Sequence, residues 1–312
     1  MLFTETFNKL EPYVSHAVKL IFDAAFQNQT HESDLFLVLD NGFYNHKDPN
    51  VSYGSVKMSP YTIGFDDDRF AEEAQFEFYD FYRKRQILDK SKFLQSIHYK
   101  NANHEDVQHG ERISVQLEMM LFLKFWESDR MMKILYMLVK LANKEGFDWE
   151  FRVNTLKDGN KKVGRSAILE TILPRDSFGV CSEFSDLLAT CFNSQIRNAV
   201  AHSQFYFMGR TIHFTNFEKG KDYNNISFIT FEKWEEFSHL TILFYNSVIE
   251  NINKYYRLYC DKAKGKHFGL PIRVTKSSGN NEMRWYTYDG RRWCWYINSE
   301  QGRGKDRYWL NP

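Results

Sequence analysis

The chain reads as mainly α-helical with a minor β component, an α+β fold, and three observations carry that reading. Apolar residues recur at helical spacing over long segments, as Leu10, Val14, Ala17, Val18, Ile21 and Ala25 do across 6–28. Short apolar runs bounded by Gly, Asn and Asp mark a few strands, in LFLVLD (35–40) and between 205 and 231. Asp289-Gly290, set between RWYTY and RRWCWYI, marks a β-hairpin in the tail.

Taken in order, the first helix spans about 6–28 and LFLVLD is a buried strand ended by the turn dipeptide Asn41-Gly42. A second helical pattern runs from Asp66 to about Leu94, opened by Asp66, Asp67 and Asp68, which suit a helix N-terminus. The polar stretch KNANHEDVQHGE (100–111) breaks the periodicity and reads as a boundary. Two helices rich in Met, Leu and Phe follow, about 112–127 and 129–145, then a polar loop over 154–164 and a short helix near 165–173. Ser182 to about Ala201 forms one helix whose stripe is Phe184, Leu187, Leu188, Cys191, Phe192 and Ile196. YFMGRTIHFTN and NNISFITF read as two strands around FEKGKDYNN, and a long helix runs from Glu232 to about Asp261.

The expected organisation is an acidic, mixed α/β region over 1–105, whose first helix is also a candidate member of the bundle. A helical domain follows over 106–263, and a basic aromatic hairpin tail over 264–312. Charge follows the same division. Residues 1–82 hold 14 Asp/Glu against 5 Lys/Arg, and residues 262–312 hold 11 Lys/Arg against 4 Asp/Glu, in a chain of net charge +1. A basic tail of this kind suits a polyanion, a solvated surface or the acidic end of the same chain. No apolar run approaches a membrane span and the start lacks a signal-peptide pattern, so the expectation is a cytoplasmic protein that does not bind membrane. The four cysteines show no paired spacing and read as reduced, buried thiols. His98, His104 and His109 share a polar segment, but their spacing gives little reason to expect a metal, and no cofactor is expected.

The segment with chemical content is Arg197-Asn198-Ala199-Val200-Ala201-His202. It joins a permanent cation, a small amide and a side chain whose charge changes near neutral pH. In a chain with 17 Arg and 10 His, an Arg followed by a His at such spacing arises about once or twice by chance; requiring Asn directly after the Arg lowers that to about 0.04. The specificity therefore lies in Asn198 and in the flanking helix, strands and helix. Arg197 and His202 stand about 140° apart around a regular helix and so do not share a face. A helix that ends near His202 resolves this, and so does a site completed by a second copy across a two-fold axis.

This segment resembles the HEPN superfamily, which includes many metal-independent ribonucleases, and the likeness extends over about 111–262. The resemblance implies a helical bundle with an inserted β-hairpin, a homodimer in which two motifs face each other, and RNA as substrate, often in toxin or anti-phage defence. It assigns His202 to proton transfer, Arg197 to the phosphate and Asn198 to orienting either. The expected products are a 2',3'-cyclic phosphate and a 5'-hydroxyl. Gln204 stands where some members carry a tyrosine modified by a partner nucleotidyltransferase, so that mode of control is not implied.

Blander roles are also open. Arg197 suits a helix C-terminus or an ion pair with Glu183 or Asp186, and Asn198 and His202 are ordinary helix-end residues. The same bundle also suits a non-catalytic module for RNA, a nucleotide or a protein. In the tail, a two-residue Asp-Gly loop pairs Tyr288 with Arg291, Tyr286 with Trp293 and Arg284 with Trp295. Arg284, Tyr286, Arg291 and Trp293 are thus candidate RNA contacts, with packing of the aromatic face on the protein as the alternative.

Overall fold

A computed structural model describes residues 3–31, 104–146, 161–221, 224–266, 269–275, 280–289 and 294–298, with a few residues and short strands besides. The described chain is mainly helical. Its elements are α1 (Phe3–Gln27), β1 (Leu39–Asp40), β2 (Lys57–Met58), β3 (Gly64–Phe65), α2 (His104–Trp126), α3 (Asp129–Ala142), β4 (Lys157–Asp158) and β5 (Lys161–Lys162). Helix α4 opens at Arg165–Ala167, passes through a π-helical turn at Ile168–Ile172 and closes as Leu173–Phe178. Then come α5 (Ser182–Cys191), α6 (Ser194–Ala201), β6 (Phe205–Met208), β7 (Thr211–Phe214), β8 (Phe228–Thr230) and α7 (Phe231–Ala263). Strands β9 (Leu270–Thr275), β10 (Asn281–Asp289), β11 (Cys294–Asn298) and β12 (Tyr308–Leu310) finish the chain.

The chain groups into two compact units. The first contains 1–18, 72–131 and 164–247; the second contains 19–71, 132–163 and 248–312. The first unit is built on aromatic packing. Trp126 lies 5.1 Å from Phe192 and Phe122 lies 5.9 Å from Trp234 between ring centroids, both edge-on. Glu118 is buried in this core, where one carboxylate oxygen accepts a 2.9 Å hydrogen bond from Trp234 Nε1. Each aromatic ring removes ~150–250 Å² from water, which is the main drive for assembling these helices. The stripe read from the sequence (Phe184, Leu187, Leu188, Cys191, Phe192, Ile196) is buried throughout.

The second unit holds the cluster Phe22, Phe26, Phe36 and Tyr255, with centroids 5.0–6.1 Å apart. Asp34 is fully buried and takes a bidentate grip from Arg273, with Nε to Oδ1 at 2.9 Å and Nη2 to Oδ2 at 2.6 Å. Fork geometry of this kind is what allows an ion pair to stay charged away from water. A five-stranded sheet runs in the order β12-β11-β10-β9-β2, so a segment of the acidic N-terminal region pairs with the basic tail through β2 and β9.

Several expectations change. The polar stretch 100–111 is helical from His104, since polar composition alone does not prevent a helix. Of LFLVLD, Leu39–Asp40 is described as strand, paired in parallel with Gly64–Phe65. The 154–164 loop contains the two-stranded β4–β5 ribbon. YFMGRTIHFTN is two strands rather than one: Met208 pairs with Thr211 around Gly209-Arg210, and Gly209 takes φ 57° at the first central position of that tight turn. The inserted hairpin is thus a three-stranded antiparallel sheet, β6-β7-β8.

The tail hairpin exists in a different register. Asp289 pairs with Cys294, Tyr288 with Trp295 and Tyr286 with Ile297, so residues 290–293 make the connection. This register sets aromatic or aliphatic residues opposite both tyrosines, where the two-residue loop would set Arg291 opposite Tyr288. Asn41-Gly42, the helix expected over 66–94 and its opening Asp66, Asp67 and Asp68 lie outside the described residues, as do His98, Arg291 and Trp293. Arg284 and Tyr286 are described as backbone positions of β10. No helix among the described residues is long and apolar enough to cross a membrane.

Candidate active site

The motif sits on a helix of its own. The single helix expected over 182–201 is broken at Phe192 (φ −126°, ψ 137°) and Asn193 (φ −144°, ψ 121°), and α6 restarts at Ser194. Asn193 causes the restart. Its Oδ1 accepts a 2.9 Å hydrogen bond from the Ile196 amide, an N-cap for the new helix. Glu170, in the π-helical turn of α4, accepts a 2.7 Å hydrogen bond from the Ser194 amide. Two of the open N–H groups are thereby satisfied, one of them by a negative charge suited to a helix start.

Gln195 holds the other side of the helix. It is buried and bonds the Ile226 peptide in both directions, Nε2 to the carbonyl at 2.8 Å and Oε1 from the amide at 3.0 Å. Its own carbonyl accepts from Asn216 Nδ2 at 2.9 Å. These bonds attach α6 to the segment that leads out of β7 and into β8.

The helix ends at His202 (φ −106°, ψ 11°), with Ser203 in the left-handed region at φ 54°. The Gln204 amide reaches the Ala199 carbonyl at 2.7 Å and the Ser203 amide reaches Val200 at 3.4 Å. This is a Schellman termination with serine at the position usually held by glycine. His202 is thus the C-cap, its amide still bonded to the Asn198 carbonyl at 3.0 Å, and the helix ends at this residue.

Arg197 is largely buried, with 17% of its side chain exposed, and its ion-pair partner is Glu127. The two atoms Nε and Oε1 approach to 2.5 Å, a charge contact in which the Nε–H does not point squarely at the oxygen. The expected acids, Glu183 and Asp186, are not its partners; Glu183 instead accepts from Ser182 Oγ at 3.1 Å. Arg197 Nη1 donates to Asn198 Oδ1 at 2.7 Å, so the amide orients the guanidinium directly. His202 is exposed, with no side-chain hydrogen bond to a described residue.

Glu127 belongs to the turn between α2 and α3 and is itself clasped. Arg165 approaches its carboxylate at 3.4 Å, donates from Nη1 to its carbonyl at 3.0 Å, and pairs through Nη2 with Asp129 at 2.5 Å. One carboxylate thus lies between two arginines, both mostly buried. Sequence reasoning missed Glu127, Arg165 and Glu170. Glu127-Ser128-Asp129 carries an ordinary helix-start signal, and Ser128 Oγ does cap the Met131 amide at 3.1 Å. That local role hid the long-range one.

No family model, curated protein or solved structure matches this chain.

The arrangement offers an oriented cation, an amide bonded to it, and an imidazole open to solvent at the helix end. Among the described residues no cluster of three His, Cys, Asp or Glu has the geometry to hold a metal ion. His109 is exposed on α2, and His104 is described only as a backbone position of that helix.

Proposed function

We propose that the chain is a metal-independent endoribonuclease of the HEPN type, acting in toxin-like or anti-phage defence. One observation carries the reading: Arg197, held by Asn198 and Glu127, and the solvent-open His202 lie on one short helix fixed at both ends. Chemistry of this kind needs a fixed positive charge on the phosphate and a group that moves a proton at neutral pH. The ribose 2'-oxygen attacks phosphorus and loses its proton to an imidazole. The bond to the 5'-oxygen breaks, and that oxygen takes up a proton. Arg197 stabilises the charge that gathers on the phosphoryl oxygens, and His202 serves one of the two proton transfers. A homodimer supplies the second imidazole if two His202 copies share the work.

The test is incubation of the purified protein with single-stranded RNA in EDTA. The proposal expects fragments with 2',3'-cyclic phosphate and 5'-hydroxyl ends, and no cleavage of DNA of the same sequence. Fragments bearing 5'-phosphates, or equal cleavage of DNA, would contradict it. A second reading, a non-catalytic module for RNA, a nucleotide or a protein, draws support from one feature. Glu127 already neutralises Arg197, so a binding role asks nothing further of the cation.

A further inference from the structure

The outward face of the β6-β7-β8 sheet carries an aromatic row that is not buried in the core. Tyr206, His213 and Phe228 stand directly opposite one another across the three strands. Their rings are stacked: Tyr206 to His213 at 5.0 Å and 15°, His213 to Phe228 at 5.4 Å and 23°. The buried core of the same unit mixes edge-on pairs, such as Phe122–Trp234 at 70° and Phe125–Tyr245 at 82°, with the stacked pair Trp126–Phe244 at 17°. The inward face of the sheet bears the packing load, with Ile212 and Phe214 buried.

Three features point to what the row accepts. Tyr206 and Phe228 are each 52% exposed, and both lie on edge strands, so among the described residues the stack has no neighbouring strand at either end. A flat ring added at either end continues the stack, and offset stacking is favourable for any π-system. The outward positions (Tyr206, Met208, Thr211, His213, Phe228 and Thr230) include no carboxylate, so a phosphate-bearing ligand meets no repulsion from them. His213 adds a titratable nitrogen, held 3.0 Å from Thr211 Oγ1. The face is also tied to the motif. Tyr206 lies four positions after His202, a reach of at most about 14 Å. Gln204 bonds back to Ala199 through its amide and to Thr215 through its carbonyl.

We infer that this row is a nucleobase-stacking site, with Tyr206 and Phe228 as terminal platforms for bases of a single-stranded RNA whose backbone is held at Arg197. The inference rests on the ribonuclease reading for the position of the backbone and deepens it by assigning where bases lie. Stacking of this kind is tolerant of base identity, so the site favours unpaired RNA over a particular sequence.

The test uses the full-length chain and an uncleavable 2'-O-methyl RNA about 12 nucleotides long, carrying 5-iodouridine for photocrosslinking. Tyr206→Leu and Phe228→Leu each weaken binding about tenfold or more, whereas Tyr206→Phe binds as wild type. Leucine keeps an apolar surface, and an unchanged melting temperature shows that the fold is kept. Crosslinks map to Tyr206 or Phe228. Absent binding by wild type, equal binding by the leucine variants, or crosslinks confined elsewhere would overturn the inference. So would a change of oligomeric state in the leucine variants with RNA binding intact, which would make the face a contact between copies. The two readings fail separately. Ring-dependent binding without cleavage of ordinary RNA removes the ribonuclease and keeps the stack. Cleavage that needs His202 but is unchanged in the leucine variants removes the stack and keeps the ribonuclease.

Discussion

Arg197 on α6 and Glu127 in the α2–α3 turn meet at 2.5 Å between Nε and Oε1, and this contact sets the direction of the motif's only permanent charge. Glu127 is 41% exposed, so the pair contributes below about 1 kcal/mol to stability. Its main effect is on position. Glu127→Gln is expected to lower the RNA cleavage rate by about tenfold to a hundredfold, a loss typical of a misplaced catalytic group, with the melting temperature changed by little. Single-turnover kinetics beside thermal unfolding checks this. An unchanged rate would mean that Arg197 needs no support from the α2–α3 turn.

Asn193 decides where the motif helix begins. Asn193→Ala is expected to cost about 1 kcal/mol, and Asn193→Asp to be nearly neutral, as for other N-caps. Urea unfolding of both variants distinguishes a cap from a residue that is merely tolerated there, for which the two would behave alike.

Ser203 holds φ 54° at the helix C-terminus, a conformation that glycine adopts without a Cβ penalty. Ser203→Gly is therefore expected to stabilise the protein by up to about 1 kcal/mol, and Ser203→Val to destabilise it by more. Calorimetric melting of the two variants gives the order directly.

Cys181, Cys191 and Cys260 are buried thiols outside any disulfide. Burial pushes the thiols of Cys181 and Cys191 above the ordinary cysteine range. The folded state then holds these protons more tightly than the unfolded state. The stability they contribute is complete below the unfolded pKa of about 8.5 and is lost progressively as pH rises above it. Iodoacetamide at pH 8 is expected to label both far more slowly in the native protein than in urea, as read by peptide mass mapping. Rapid native labelling would show that these helices open.

Much of the helical architecture was legible because it depends on local periodicity. The α1 pattern, the Met/Leu-rich pair α2 and α3, and the α5 stripe all depend on spacing that one sequence displays. The breaks were not legible from periodicity, because Asn193 interrupts an apolar stripe that continues to Ile196 on the far side. A single capping bond decided between one helix and two. Gly209-Arg210 was likewise read through as strand, although the glycine carried the turn. In the tail, Asp289-Gly290 signalled a hairpin and misled its register, since pairing beyond the turn outweighed turn preference. The site was half legible: Arg197, Asn198 and His202 are contiguous, whereas Glu127 and Arg165 reach them only through tertiary packing.

The central claim, that Arg197 and His202 cut RNA, is tested most directly by the cleavage rate in EDTA of wild type, Arg197→Ala and His202→Ala. All three are to be purified identically and shown by circular dichroism to be folded. The account predicts that each substitution lowers the rate by at least about a hundredfold. Equal cleavage by wild type and either variant would contradict it.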